Sequence, residues 1–258
     1  MYKAKQYRIR NLQEILEDID MAREYYGDIE KVFLADGDAL TMDKNDLITI
    51  LDKLYKTFPG LAYVGTYASA RSILNKSVLD LNELREHGLV EAHLGIESGD
   101  EEILRQIRKG VSYNEMVAAG RKLKQAGIQL FATIILGLAG TTGKKDDHTK
   151  NTARICNDIQ PDYLGVLTVI LEPNTELYYQ HANGEFEVPA DVEIVQEMYS
   201  ILKELDLKDC GFTSIHPSNP VSIEGMLPQD KSMLLQMLAG ILEKNDTSLL
   251  HPRAVDRV

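Results

Sequence analysis

The chain has 258 residues, 44% hydrophobic and 26% charged, with a formal charge of -12. This is enough for one large globular domain or an α/β barrel with a small extension, without covalent staples. The acidic excess disfavours a protein held on nucleic acid mainly by phosphate neutralisation, and leaves room only for a structured RNA read by a local patch.

In chain order, Leu12, Ile15, Leu16, Ile19 and Ala22 recur at helical spacing over residues 12–26, and Gly27 is the stop. Residues 29–38, IEKVFLADGD, form a short apolar run that predicts a strand ending in Asp36-Gly37-Asp38. A helix over 46–58 turns Leu47, Ile50, Leu51 and Leu54 inward and is closed by Pro59-Gly60. Strands then fall at 61–66, 91–97, 128–137 and 162–170, alternating with helices at 79–87, from 98 to Gly110, at 113–127 and at 147–159. The strand starts recur at close to the roughly 31 residues per βα unit of a barrel enzyme of about 250 residues. Such alternation predicts a parallel sheet with helices on its outer face, because right-handed crossovers all fall on one side of a curling sheet. A partial TIM-like barrel is therefore favoured over a flat doubly wound sheet.

After Pro189 the repeat stops. Helices are expected at 192–205 and 230–242, and the Gly-, Pro- and Ser-rich link between them, CGFTSIHPSNPVSIEGMLPQD, is expected to be a loop laid across the barrel mouth. Residues 245–258 are expected to fray. This divides the chain into a barrel core, 1–188, and a helical extension with its tail, 189–258. Cys156 and Cys210 stand far apart in no metal-type spacing, which fits a reducing cytoplasm. No apolar run approaches ~18 residues, and the N-terminus lacks a signal-peptide core, so neither membrane span nor export is expected.

The stretch His93–Gly110, HLGIESGDEEILRQIRKG, organises the rest. It reads as a strand ending on Glu97, a tight turn, and a short helix. Ser98 has capping-box spacing to Glu101, Arg105, Arg108 and Lys109 suit the helix's negative end, and Gly110 is its stop. Ser98 is either a plain cap or a ligand contact. Glu97 follows Gly95 on the same strand face, which leaves room for something to sit, and a carboxylate gripping two adjacent hydroxyls is a common way to hold a ribose. Asp36-Gly37-Asp38 is either a solvated turn or a carboxylate pair for an ammonium group or a divalent metal. Gly137 and Gly140 are either turn glycines or a close approach to a flat ligand. Pro173 and Thr175 lie just past a strand end, and His216 with Asn219 in the link are weak candidates for touching substrate. The remaining histidines have no metal-ligand spacing, and no metal site is expected.

Taken together, FLADGDAL, LGIESGDEEILRQIRKG, ILGLAGTT and LEPNTELY resemble, in order, the radical S-adenosylmethionine superfamily. The branch is that of elongator-type catalytic subunits, methylthiotransferases and oxygen-independent coproporphyrinogen oxidases. The resemblance runs from about Tyr2 to Tyr178 and implies a six-stranded (β/α) partial barrel. It implies that Asp36, Gly37 and Asp38 bind the amino group of S-adenosylmethionine and that Glu97 and Ser98 bind the ribose. Lys109, with Arg108 as substitute, would pair with the methionine carboxylate. Gly137, Gly140 and the backbone before Pro173 would contact the adenine side. Family members also hold a 4Fe-4S cluster on a Cys-x3-Cys-x2-Cys loop, and its reduction cleaves the sulfonium to a hydrogen-abstracting 5′-deoxyadenosyl radical. That loop is missing, and two distant cysteines cannot supply three converging thiolates. The expectation is therefore that the first strand and the cluster loop precede Met1, and that this chain binds the cofactor weakly and no cluster. Rival readings are a cluster-free binding or scaffold barrel and an unrelated metal-dependent barrel enzyme. An open sheet edge where the first strand should lie predicts pairing between copies.

Overall fold

A computed structural model describes residues 8–141, 145–244 and 250–253. Its seven strands form one mostly parallel sheet whose order follows the chain. The chain divides into two compact units, Met1–Gly95 with Ala118–Phe131, and Ile96–Val117 with Ala132–Val258.

In the first unit, α1 (Leu12–Tyr26) starts where the Asn11 side chain accepts the Gln13 N–H and stops where Gly27 takes φ +69°. It packs on α2 (Lys44–Thr57), whose Leu47, Ile50, Leu51 and Leu54 are buried as their spacing predicts. β1 (Lys31–Leu34) pairs in parallel with β2 (Tyr63–Ala68), and β2 with β3 (Leu89–Glu97). Two helices lie between β2 and β3, where one was expected. α3 (Ala70–Asn75) is too short to show a period, and a Ser69/Ser72 capping box starts it. α4 (Val78–Glu86) follows with its own box from Ser77 and Asp80. Lys122 Nζ donates to the Leu74 and Lys76 carbonyls at 3.0 and 2.8 Å, taking up acceptors that the end of α3 leaves open. Phe33, Tyr67, His93 and Phe131 form an aromatic cluster, with His93 stacked on Phe131 and bonded to Glu91 at 2.7 Å.

In the second unit, α5 (Glu101–Gln106) follows β3, and β4 (Gln129–Leu136) enters from the first unit after α6 (Tyr113–Gln125). α7 (Lys145–Ile159), β5 (Tyr163–Thr168), α8 (Glu176–Ala182) and α9 (Asp191–Glu204) complete the alternation. The link after α9 is not a loop across a barrel mouth. It continues the sheet as β6 (Cys210–Thr213), parallel to β5, and β7 (Glu224–Leu227), antiparallel to β6. The turn chemistry conceals these strands in the sequence. Gly211 is needed because a Cβ there would stand 2.6 Å from the Tyr163 ring, and the Pro- and Ser-rich turn is fastened by buried side chains.

Asn219 is chief among these. It donates to the Val166 and Ser214 carbonyls at 2.6 and 2.8 Å and accepts from Thr168 Oγ1 at 2.8 Å. Its neighbour Ser218 accepts the Thr168 N–H at 2.9 Å. α10 (Lys231–Lys244) then packs on α9 and β7. Residues 245–249 and 254–258, where fraying is expected, lie outside the described residues. Between them Arg253 is not frayed: its Nε pairs with Asp191 at 2.6 Å, and the nearby His251 N–H bonds the Pro220 carbonyl.

Asn219→Ala strips three bonds from a buried turn and leaves their partners unsatisfied. We expect a loss of about 3 kcal/mol, read as a lower urea midpoint at unchanged slope.

Candidate functional site

Alternation along β3 puts Ala92, Leu94 and Ile96 on a face with no exposed surface, and His93, Gly95 and Glu97 on the other. At the strand's end Glu97 takes φ +64°, and the Ser98 N–H folds back to the Ile96 carbonyl at 2.9 Å. This is a γ-turn centred on a residue with a side chain, a rare and strained conformation of the kind that clusters at functional sites. The Glu97 carboxylate, 20% exposed, accepts from Lys109 Nζ at 2.8 Å. Lys109 reaches it because α5 ends early. Arg108, at φ +55°, is the left-handed stop, and the Lys109 N–H bonds the Leu104 carbonyl as in a Schellman closure. Gly110 is therefore not the stop that was expected. Arg108 itself pairs with Glu176 of α8 at 2.6 Å.

Ser98 does not cap α5 either. Asp100 does, its Oδ1 accepting from the Glu102 and Ile103 N–H groups at 3.0 and 3.1 Å. Ser98 is fully buried, its hydroxyl accepting the Asp100 N–H at 3.0 Å and lying 2.9 Å from His148 Nδ1. Two further bonds fasten the turn to α7: Gly99 N–H to Thr152 Oγ1 at 3.1 Å, and Asn151 Nδ2 to Asp100 Oδ2 at 3.1 Å. Gly99 is obligatory on steric grounds, since a Cβ there would sit 2.0 Å from the Asn151 carbonyl oxygen.

The turn after β4 is built from the same unit. Gly137 and Gly140 take φ +80° and +63°, and the Gly137 N–H donates to Glu197 Oε1 at 3.0 Å. Beside it, Leu138 packs with Ile103 and Val169 in an apolar cluster. Thr142, the last residue of the ILGLAGTT stretch, lies outside the described residues. Past β5, Pro173 is exposed, and Thr175 caps α8 by accepting the Tyr178 N–H at 3.2 Å.

In the other unit, Asp36 adopts φ +66° and Gly37 φ +134° just beyond β1. The Asp38 carboxylate accepts from the Ser72 hydroxyl at 2.9 Å and the Ser69 N–H at 3.1 Å, so it braces the start of α3. His216 is exposed and bonded to Ser218 at 2.8 Å, whereas every polar group of the Asn219 side chain is spent inside the β6–β7 turn.

Two buried ionisable residues went unmarked in the sequence, His148 and Glu197. Glu197 carried a signal, because it sits inside the buried α9 stripe of Ile194, Val195, Met198 and Ile201. Cys156 and Cys210 are both fully buried, and burial, reinforced by Cys210, pushes the Cys156 thiol up.

The family description "Radical SAM superfamily" matches residues 2–154, more than half of the chain. The chain belongs to the radical SAM superfamily. Membership rules out the unrelated-barrel reading and implies S-adenosylmethionine and a 4Fe-4S cluster as the family's cofactors. Among curated relatives, the heme chaperone HemW of Bacillus subtilis is 22% identical over 74% of this chain and 49% of its own length. The tRNA uridine(34) acetyltransferase of Methanocaldococcus infernus is 25% identical over 64% of the chain and 30% of its own length. The chain thus spans half or less of these proteins. Among solved structures, the archaeal Elp3 of Methanocaldococcus infernus superposes with a TM-score of 0.58 at 16% identity, covering 92% of this chain and 59% of that one. Coproporphyrinogen III oxidase (HemN) of Escherichia coli gives 0.56 at 17% identity, covering 79% and 44%. These likenesses establish the radical SAM partial-barrel fold. Among the described residues no helix is long and apolar enough to cross a membrane.

The cluster does not fit the residues of this radical SAM chain. It needs at least three thiolates, and the two cysteines present are sealed in the interior, with burial pushing the Cys156 thiol up, away from the thiolate. The nucleoside cofactor fits better. Glu97 offers a partly exposed carboxylate to hydroxyl groups, and Lys109 beside it offers an ammonium to a carboxylate.

Two measurements check this geometry. Gly99→Ala must push α7 off the turn and should cost at least about 2 kcal/mol, read by denaturant unfolding. The native protein should show no thiol reactive toward a disulfide reagent at neutral pH, and two after unfolding in denaturant.

Proposed function

We propose that this chain is the nucleoside-binding part of a radical SAM enzyme, with Glu97 as the group that grips the ribose of S-adenosylmethionine. The observation that carries the reading is the γ-turn at Glu97. Strain at a non-glycine residue persists only where the surroundings over-determine it, and here it delivers a carboxylate to the carboxyl end of a parallel strand, where α/β proteins bind ligands.

Each remaining role follows from chemistry at its own strand end. The ribose hydroxyls donate to Glu97, and Lys109, already beside that carboxylate, offers its charge to the cofactor's amino-acid carboxylate. Arg108 stands next to it in sequence as an alternative cation. Ser98 supports the turn from beneath rather than touching the ligand, since its hydroxyl is sealed. Asp36, Gly37 and Asp38 take the ammonium group by the family resemblance, with carboxylates set on a turn that Asp36 and Gly37 enter at positive φ. The flat adenine is assigned to the main chain of the Gly137–Gly140 turn and the backbone near Pro173 and Thr175; the bare faces of Gly137 and Gly140 are themselves covered by Ile194, Val169 and Phe186. His216 stays available to substrate at the surface. Neither Cys156 nor Cys210 can serve as a cluster ligand, so no role in this reading falls to them.

Titration calorimetry with S-adenosylmethionine tests the assignment. Glu97→Gln should weaken binding by about tenfold, the loss of one charged acceptor, and Lys109→Met should weaken S-adenosylmethionine more than 5′-methylthioadenosine, which lacks the amino-acid moiety. Equal losses for both ligands in Lys109→Met would remove the carboxylate role. Failure of the wild-type chain to bind either nucleoside would overturn the reading itself.

A further inference from the structure

Beneath the turns after β3 and β4 runs a line of buried polar groups that nucleoside binding does not use. Ser98 Oγ lies 2.9 Å from His148 Nδ1, His148 Nε2 lies 3.1 Å from Glu197 Oε1, and the same oxygen accepts the Gly137 N–H at 3.0 Å. Ser98 and His148 have no exposed surface, and Glu197 is 2% exposed. The His148 ring meets Oε1 off the axis of a linear hydrogen bond, and Glu197 Oε2 has no donor. The link is therefore a close polar contact rather than a directed bond.

A polar contact this deep contributes little net stability, because the cost of removing both groups from water offsets their attraction. What it does is fix two elements relative to each other. α7 brings His148, with Asn151 and Thr152 on the same helical face, against the Glu97–Asp100 turn. α9 brings Glu197 against Gly137. A hydrolytic Ser-His-Glu reading fails on two counts. The serine is sealed from any substrate, and the imidazole presents Nδ1 to the serine, the reverse of the nucleophile–base arrangement.

We propose that the Ser98–His148–Glu197 relay is a positioning device that couples the Glu97 γ-turn to the Gly137 turn and holds both in one geometry from behind. The relay rests on the reading that these two turns grip the nucleoside, and it assigns His148 and Glu197 as positioning residues without ligand contact. Breaking the relay anywhere lets Glu97 relax out of its strained conformation, so affinity falls although no group facing the ligand has changed.

Two measurements on the full chain decide this. The first is a double-mutant cycle with 5′-methylthioadenosine as the probe. Glu197→Gln, which keeps an acceptor for the Gly137 N–H, should weaken binding by about tenfold in the wild-type background and by less than about twofold in Glu97→Gln, because the relay acts through Glu97. Equal losses in the two backgrounds would overturn the proposal. The second needs no ligand. In His148→Gln, amide exchange at Ser98 and Gly137 should accelerate together by about tenfold or more while the Leu130 amide in β4 keeps its rate. Glu197→Gln serves for Ser98 if the first variant does not fold. Unchanged protection at Ser98 overturns the relay whatever the ligand does. If the wild type binds no nucleoside, the functional reading fails and the exchange rates alone judge the relay.

Discussion

A single hydrogen bond, from the Ser98 N–H back to the Ile96 carbonyl, forces Glu97 into the left-handed region and sets the terms for its surroundings. A γ-turn of this hand costs of order 1–3 kcal/mol and does not hold by itself. The chain secures it by spending buried polar groups on the next three residues. Ser98 meets His148, Gly99 packs its bare Cα against the α7 backbone, and Asp100 both caps α5 and is held by Asn151. The result is a carboxylate on the last residue of the strand, with a lysine folded back onto it.

The same economy recurs at other element ends. Left-handed residues with side chains, Asp36, Arg108 and Asn174, follow β1, α5 and β5, and in each case the neighbouring residue is one with a candidate role: Gly37, Lys109 and Thr175. Turning the backbone abruptly at an element's end shortens the loop that follows and puts polar residues close to the sheet's carboxyl edge, where a parallel sheet leaves room for ligands. Some of these candidate residues also brace the fold, as Asp38 does for α3 and Thr175 for α8, and other duties fall to residues with no proposed ligand role. Asn219 locks the β6–β7 turn, and Lys122 takes up the carbonyls after α3.

Membership of the radical SAM superfamily sits beside a chemical mismatch. The fold supplies acidic and basic groups suited to a nucleoside joined to a charged amino acid, while the two thiols are in the hydrophobic interior, where ionisation is disfavoured. Metal ligation requires thiolates at an accessible site, so these cysteines behave as small apolar residues. On the residues of this chain, the groups proposed for the nucleoside and the thiolates a cluster needs are therefore different matters.

Sequence alone determined a good deal. The 3.6-residue period placed α1 to the residue, because its apolar face, Asn11 cap and Gly27 stop are all local. Short apolar-rich runs between helical stretches and turn residues located β1 to β5, because one face of each strand is buried whatever the other carries. The motif around Glu97 pointed to the family that residues 2–154 confirm. Tertiary structure decided what depends on partners distant in the chain. β6 and β7 were hidden because their pairing rests on Asn219, Ser218 and Gly211 meeting β5 residues some fifty positions earlier. Asp100 rather than Ser98 caps α5 because His148, fifty residues on, claims the serine hydroxyl. Glu197 sits inside the apolar stripe of α9, but that His148 meets it is decided by how α7 and α9 pack, which no local pattern records.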